Sequence, residues 1–423
     1  MRRMNAETDT HEQTMAQMGQ KARAAATALA KLPATARDTA LRAAASCLRA
    51  DAPEILAANM RDMAHFKGST AFGDRLLLNE TRLDAMANSL EEVAALPDPL
   101  ARTLAEWTRP NGLRISRVAQ PIGVLGMIYE SRPNVGADAS AIAIKSGNAI
   151  VLRGGSESFH SAQAIHKAIA AGLRAAGLPE DLVQVAPTTD RRFVAAMLGA
   201  VGRIDLIIPR GGKALVELVQ REARVPVLAH AEGLNHTYIH EAADHEMARR
   251  VLANAKMRRT GVCGSTETLL IDASLAPALL PVLVQDLAAL GCAFKADERA
   301  RAICAGLPAA QPQDFETEWL DAVLNIAVVD GPDAALAHVA AHGSEHTEAI
   351  ITQDERVAEY YLARSQAAVT LWNASSQFCD GGEFGFGAEI GIATGHIHAR
   401  GPVGPEQLTT FRYVVRGNGQ VRP

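Results

Sequence analysis

The chain reads as an α/β protein with two doubly wound α/β domains and a small β arm. Three observations predict this. From Pro121 onward, short apolar runs alternate with helical stretches of ten or more residues, which requires crossover connections between mostly parallel strands. A second series of the same kind begins near Thr237. Ahead of both lies Leu113–Val118, which alternates apolar and polar residues with period two.

In chain order, residues 11 to about 98 are helical. Ala, Leu, Met, Lys, Glu and Arg dominate, apolar residues recur at helical spacing as in Leu41, Ala44, Ala45 and Leu48, and breakers cluster near Pro33, Gly68–Gly73 and Pro97–Pro99. Pro110-Asn111-Gly112 is a turn signal. The Leu113–Val118 strand is either an arm reaching to another subunit or a plain surface hairpin. In the first α/β series, strands are expected at 122–128, 149–153, 182–185, 204–208 and 225–229, with helices at 158–176, 190–200 and 213–223. In the second, helices fall at 243–257, 277–290, 332–341 and 354–364, and strands at 267–272, 324–329, 347–352 and 367–373. Residues 293–322 read as irregular, and Leu408–Val415 as a final strand. Doubly wound sheets bind nucleotides at the carboxyl ends of their strands.

Composition narrows the function. A chain of 423 residues can bury a large core, and its net charge of −5 asks for neither nucleic acid nor an anionic membrane as partner. The five cysteines, Cys47, Cys263, Cys292, Cys304 and Cys379, are odd in number and form no CxxC pair, which argues against a disulfide framework or a zinc site and for a reducing compartment. Met1–Gln13 lacks the apolar stretch of a secretory signal, and Leu275–Leu290, interrupted by Pro277, Pro281 and Asp286, is a core helix rather than a membrane span. A cytoplasmic location is expected.

The chemically suggestive stretch is Asn254–Leu270. A helix carrying Lys256, Arg258 and Arg259 is expected to end at Thr260-Gly261, with Cys263 on a turn and an apolar strand leaving from it. Nearby cations favour a thiolate. Taken alone, Cys263 reads equally as a small buried apolar residue, the usual fate of a free cysteine.

Other stretches change that balance. Tyr129-Glu-Ser-Arg-Pro-Asn-Val135, Lys145-Ser-Gly-Asn148, Arg153-Gly-Gly-Ser-Glu157, Pro209-Arg-Gly-Gly212, Asn254-Ala-Lys256 with Gly261-Val-Cys263, His346-Thr-Glu-Ala-Ile350 and His398-Ala-Arg-Gly-Pro-Val-Gly404 together resemble the aldehyde dehydrogenase superfamily, and within it the branch that reduces L-glutamate 5-phosphate. The match runs from about 129 to 410, in family order. Met257, Arg258, Thr260 and Gly264 depart from the family's threonine, glutamine, proline and asparagine without removing a reacting group.

The resemblance implies an aldehyde-dehydrogenase-like fold, with residues 1–108 and 121–232 as the NADP-binding domain, 233–385 as the catalytic domain, and 109–120 with 400–423 as an oligomerisation arm and tail. It implies NADPH-dependent reduction of L-glutamate 5-phosphate to L-glutamate 5-semialdehyde and phosphate through a Cys263 thioester. The product closes to 1-pyrroline-5-carboxylate on the route to proline. Asn134 stands at the superfamily's oxyanion amide, although after Pro133 it also reads as a turn residue. His230-Ala-Glu-Gly233 replaces the Glu-Leu-Gly-Gly of hydrolytic relatives; Glu232 could intrude there, and phosphate chemistry needs no activated water.

For the cofactor, Arg210, Gly211 and Gly212 form a strand-to-helix turn open to a pyrophosphate, though such glycines are often plain turns and no GxGxxG is present. Arg153 and Ser156 replace a ribose-binding lysine and a glutamate, which favours NADP; Glu157 opposes the inference. Glu318 matches the glutamate that holds the nicotinamide ribose, or is a surface carboxylate. Substrate contacts are expected from Arg132, Lys145, Arg259 and Arg400, with Asn373, Ser375 and Ser376 at the amino-acid end. No metal is expected, because His236, His240, His245, His396 and His398 lack carboxylate or cysteine partners at ligand spacing.

Partners follow: a small-molecule substrate, a second copy of the chain, and a functional association with glutamate 5-kinase, which makes the unstable acyl phosphate. The rival readings are an acylating dehydrogenase using acyl-CoA or a free aldehyde, a non-catalytic scaffold, and a cysteine hydrolase.

Overall fold

Three apolar runs, Val124–Tyr129, Ala149–Arg153 and Leu206–Arg210, have no polar face, as strands covered by helices on both sides require. In the computed structural model, which describes residues 2–68, 70–100, 102–229 and 232–422, they join Val183–Val185 in a four-stranded sheet. Its order is 183–185, 149–153, 124–129, 206–210, all parallel. The N-terminal helices Ala34–Ala50, Ala52–His65 and Glu80–Ala95 bury their leucine and alanine faces in the same core. Ile390, Ala393, Val403 and Leu408 return to that core from the far end of the chain.

A second, six-stranded parallel sheet runs in the order 369–372, 347–351, 235–239, 266–272, 323–329, 293–296. Its two faces hold separate apolar cores, one under helices His245–Met257 and Ala276–Ala289, the other under Gly331–His342 and Glu355–Arg364. Asn235 and Thr266 pair at the start of its central strands, so the loops ahead of them, which carry Gly233 and Cys263, meet.

Three strands form the arm: Thr103–Thr108, Arg114–Pro121 and Thr409–Arg416, paired antiparallel with Arg114–Pro121 in the middle. It therefore begins upstream of the expected residue 109.

Three other elements differ from expectation. The stretch 225–229 is no full strand: only Val227 bridges Ile207, because Pro226 has no N–H to continue the ladder. Residues 293–322 hold a short strand, Ala293–Ala296, and a helix, Glu298–Ile303. Pro133–Lys145, not foreseen as an element, is a helix with Pro133 in its first turn. Among the described residues, no helix is long and apolar enough to cross a membrane.

Candidate active site

Cys263 sits on the turn between helix His245–Met257 and strand Thr266–Asp272. The backbone of this turn is held from three sides. The Asn235 side-chain amide donates to the Cys263 carbonyl oxygen at 2.6 Å and to that of Ser265 at 2.9 Å. Gly233 lies so close that a Cβ there would fall 2.1 Å from the Cys263 oxygen. The Gln377 amide donates to the carbonyls of Ala255 and Arg259, closing the end of the preceding helix. The half-buried Cys263 side chain packs on a small cluster of Val369, Leu371, Cys379 and Ile392. Burial pushes its thiol up to about 11; Arg210 pulls it down, while Glu389 and Glu318 push it further up.

A cleft of about 820 Å³ opens beside the turn, between the N-terminal helices and residues 257–261. Arg75, Arg132, Asn134, Asp138 and Arg259 line it. Partial burial lowers the Arg132 pKa, and the like charges of Arg75, Arg210 and Arg259 lower it further. Asn134 occupies the first turn of helix Pro133–Lys145, and its Nδ2 donates to Asp138 at 3.0 Å; an amide nitrogen keeps a second N–H for a ligand.

The cofactor candidates divide. Arg210 lies near Cys263 in charge, and its guanidinium passes over Gly391, where a Cβ would come within 3.1 Å of it. Gly211 and Gly212 form the expected turn before helix Lys213–Glu222, with the Gly212 N–H bonded to Glu130 at 3.0 Å. Arg153 is buried, donates to the carbonyls of Gly154 and Thr189, and keeps a buried Nε with no partner among the described residues. Ser156 bonds Glu157, which also accepts from Ser131. Glu318 accepts the Gly233 N–H at 2.9 Å, which places it behind the cysteine turn rather than on the surface. Glu232 pairs with Lys213 at 2.9 Å, and His230 lies outside the described residues.

Several expected substrate contacts are held elsewhere. Lys145 is 1 % exposed and bonded to Asp38 at 2.6 Å and to the Ala94 carbonyl, because the end of its helix points into the N-terminal bundle. Asn373 spends its amide on both backbone groups of Thr352 while adopting a positive φ of 56°. Ser375 caps the short turn that follows it, and Ser376 bonds Thr266. The Arg400 guanidinium is taken by Glu345, Gln366 and Thr394. Conversely, Arg75, Asp138, Gly233, Asn235 and Glu389 gather at the site without having been singled out. Only Gly233 had a local signal, as the end of the His230–Gly233 motif; the others reach the site through chain-distant packing, Asn235 at the Cys263 backbone and Arg75 and Asp138 in the cleft.

A cysteine turn at the head of one parallel α/β unit, beside a second parallel α/β unit with glycine turns, is the arrangement of the aldehyde dehydrogenase type. The model of the aldehyde dehydrogenase family matches residues 4–303. The gamma-glutamyl phosphate reductase of Acidiphilium cryptum (strain JF-5) is 68% identical over 420 residues, covering 99% of this chain and 100% of that one. That of Gluconobacter oxydans (strain 621H) is 65% identical over 407 residues, covering 96% and 95%. The crystal structure of gamma-glutamyl phosphate reductase from Thermotoga maritima superposes with a TM-score of 0.95 at 39% identity, over 97% of this chain and 100% of that one. The chain belongs to the gamma-glutamyl phosphate reductase family, within the aldehyde dehydrogenases.

Proposed function

We propose that the protein reduces L-glutamate 5-phosphate to L-glutamate 5-semialdehyde and phosphate with NADPH, in proline biosynthesis. The carrying observation is the Cys263 turn, fixed by Asn235 and Gly233 and set beside guanidinium groups with no carboxylate partner among the described residues. The Cys263 sulfur attacks the acyl carbon, the bond to the phosphate oxygen breaks, and the thiol proton leaves with the phosphate. The second N–H of Asn134 and the Cys263 backbone N–H receive the oxyanion.

The cofactor residues fit a dinucleotide: Arg153 has a buried Nε without a partner among the described residues, and Gly154 and Gly155 occupy positions where a Cβ would meet Tyr129, Glu157 and Ser131. Arg153, Ser156, Gly211, Gly212 and Glu318 would hold it, Arg153 favouring a 2′-phosphate. When bound, NADPH supplies the hydride that converts the thioester to the aldehyde. Glu232 is engaged by Lys213, which agrees with a reaction that activates no water.

We assign cofactor binding to the first α/β unit, catalysis to the second, and self-association to the arm. Its outer strand Thr103–Thr108 and the exposed Trp107, Phe411 and Tyr413 suit a second copy. Sedimentation showing only monomer overturns that assignment. Association with glutamate 5-kinase would shield the acyl phosphate; it fails if neither co-purification nor a change in coupled flux is seen.

The activity is tested in reverse, because the acyl phosphate is unstable. Wild type and Cys263→Ala are given 1-pyrroline-5-carboxylate, NADP⁺ and phosphate. NADPH formation that needs both phosphate and Cys263 is expected. NADPH without phosphate would instead indicate a hydrolytic dehydrogenase, and its complete absence would remove the substrate assignment.

A further inference from the structure

We infer that the site binds its substrate by two separate cation groups: Arg210 takes the phosphoryl group, and Arg75, Arg132 and Arg259 take the α-carboxylate. The inference rests on the function proposed above and adds which arginine meets which end.

None of these four guanidinium groups has a hydrogen bond or ion pair to a carboxylate in the described residues. Several other arginines are neutralised: Arg23 meets Asp205, Arg37 meets Asp98, Arg249 meets Asp286 and Arg299 meets Asp330; among the described residues Arg258, which also lines the cleft, has no carboxylate partner either. Within the cleft itself, Arg82 is paired with Asp74. Like charges gathered without counter-ions are unfavourable until an anion arrives, and planar guanidinium groups suit both phosphate and carboxylate.

Position divides the four. Arg75, Arg132 and Arg259 line the cleft, whereas Arg210 does not; it belongs to the Pro209–Gly212 turn, and its guanidinium lies over Gly391, next to Ile392 of the cluster on which Cys263 packs. Its nearby carboxylate, Glu389, is bonded to the Gly381 N–H and not to Arg210. In the substrate, the phosphoryl group hangs on the carbon that Cys263 attacks, while the α-carbon lies three carbons along the chain. The phosphate must therefore stay at the sulfur, beside Arg210, and the amino-acid end must extend along the cleft. Arg132, immediately ahead of the helix that carries Asn134, lies in the same cleft. The cleft also holds Asp138, bonded by Ser89 and Asn134 but paired with no arginine among the described residues, and it suits the α-ammonium.

The test uses the reverse reaction and varies one substrate at a time, with Arg75→Ala, Arg259→Ala and Arg210→Gln. The first two should raise the KM for 1-pyrroline-5-carboxylate about tenfold or more, the loss of a hydrogen bond to a charged group. Their KM for phosphate should stay within about twofold of wild type. Arg210→Gln should show the opposite pattern. Arg75→Lys, which keeps the charge, should recover part of the loss. Butanal, an aldehyde without an α-carboxylate, should be oxidised by wild type and Arg75→Ala with similar kcat/KM, which separates a binding defect from misfolding. Arg75→Ala or Arg259→Ala raising the phosphate KM, or leaving both constants unchanged, overturns the division. If wild type forms no NADPH with phosphate, the function itself fails, a result distinct from a wild type that works and variants that do not divide.

Discussion

The amide of Asn235 donates to the carbonyl of Cys263 at 2.6 Å, so the start of one central strand holds the backbone of the nucleophile. The second bond, to Ser265, fixes both ends of the turn that aims the sulfur. Both carbonyls would lose their donor in Asn235→Ala, at about 1–3 kcal/mol for unpaired buried groups. We expect a lower unfolding temperature and a kcat reduced by about tenfold or more, since a small displacement of a reacting group is costly. Calorimetry with steady-state rates checks this. A lower melting temperature with an unchanged kcat would mean that Gly233 packing alone aims the sulfur.

Cys263 is not a resting thiolate. Burial raises its pKa from 9.0 to about 11, and Arg210 only partly offsets that. The rate of alkylation by iodoacetamide should climb about tenfold per pH unit between pH 8 and 10, without levelling off, because only the thiolate reacts. Arg210→Gln should slow alkylation at every pH in that range. The same shift has a stability consequence of definite sign. Between 9 and about 11 the folded state holds the proton more firmly than the unfolded chain, so this group's contribution is complete below 9 and is lost as pH rises through 11. A plateau in the alkylation rate below pH 8 would contradict the raised value.

Lys145 shows where the sequence was legible and where it was not. Strands such as Ala149–Arg153 are legible because a continuous apolar run between turns leaves little choice. Helix Pro133–Lys145 is not. It opens with Pro-Asn, which looks like a turn, and it is buried around most of its circumference, so it lacks the amphipathic period that marks a surface helix. Without that helix, nothing in the sequence keeps Asn134 and Lys145 out of one pocket. With it, they lie at opposite ends of a rigid rod, Asn134 lining the cleft and Lys145 reaching Asp38. The links from Asn235 to Cys263 and from Glu318 to Gly233 were illegible for another reason: they join segments that only the completed sheet brings together.

The consequence for Lys145 is a stability effect rather than a binding effect. Lys145→Met leaves the Asp38 carboxylate without its buried partner and should cost about 3–5 kcal/mol. The KM for 1-pyrroline-5-carboxylate should be unchanged in whatever fraction remains folded. Chemical denaturation beside steady-state kinetics checks both. A raised KM with unchanged stability would return Lys145 to the substrate.

Asn134 should behave in the opposite way. It is exposed in the cleft, and its one side-chain hydrogen bond among the described residues, to Asp138, is local to the first turns of the same helix. Removing it with Asn134→Ala should alter stability by no more than about 0.5 kcal/mol, as for surface substitutions generally. If its free N–H receives the oxyanion, however, kcat should fall by about 10²–10³, the usual effect of losing one such donor. The KM for phosphate should hold, because that interaction strengthens only as the carbonyl becomes tetrahedral. Asn134→Asp sharpens the distinction. It keeps the size but replaces the donor by a carboxylate beside Asp138, so it should be at least as inactive as the alanine variant and should also lose stability through repulsion. A turn residue would give neither pattern, since either substitution would then leave kcat near that of wild type.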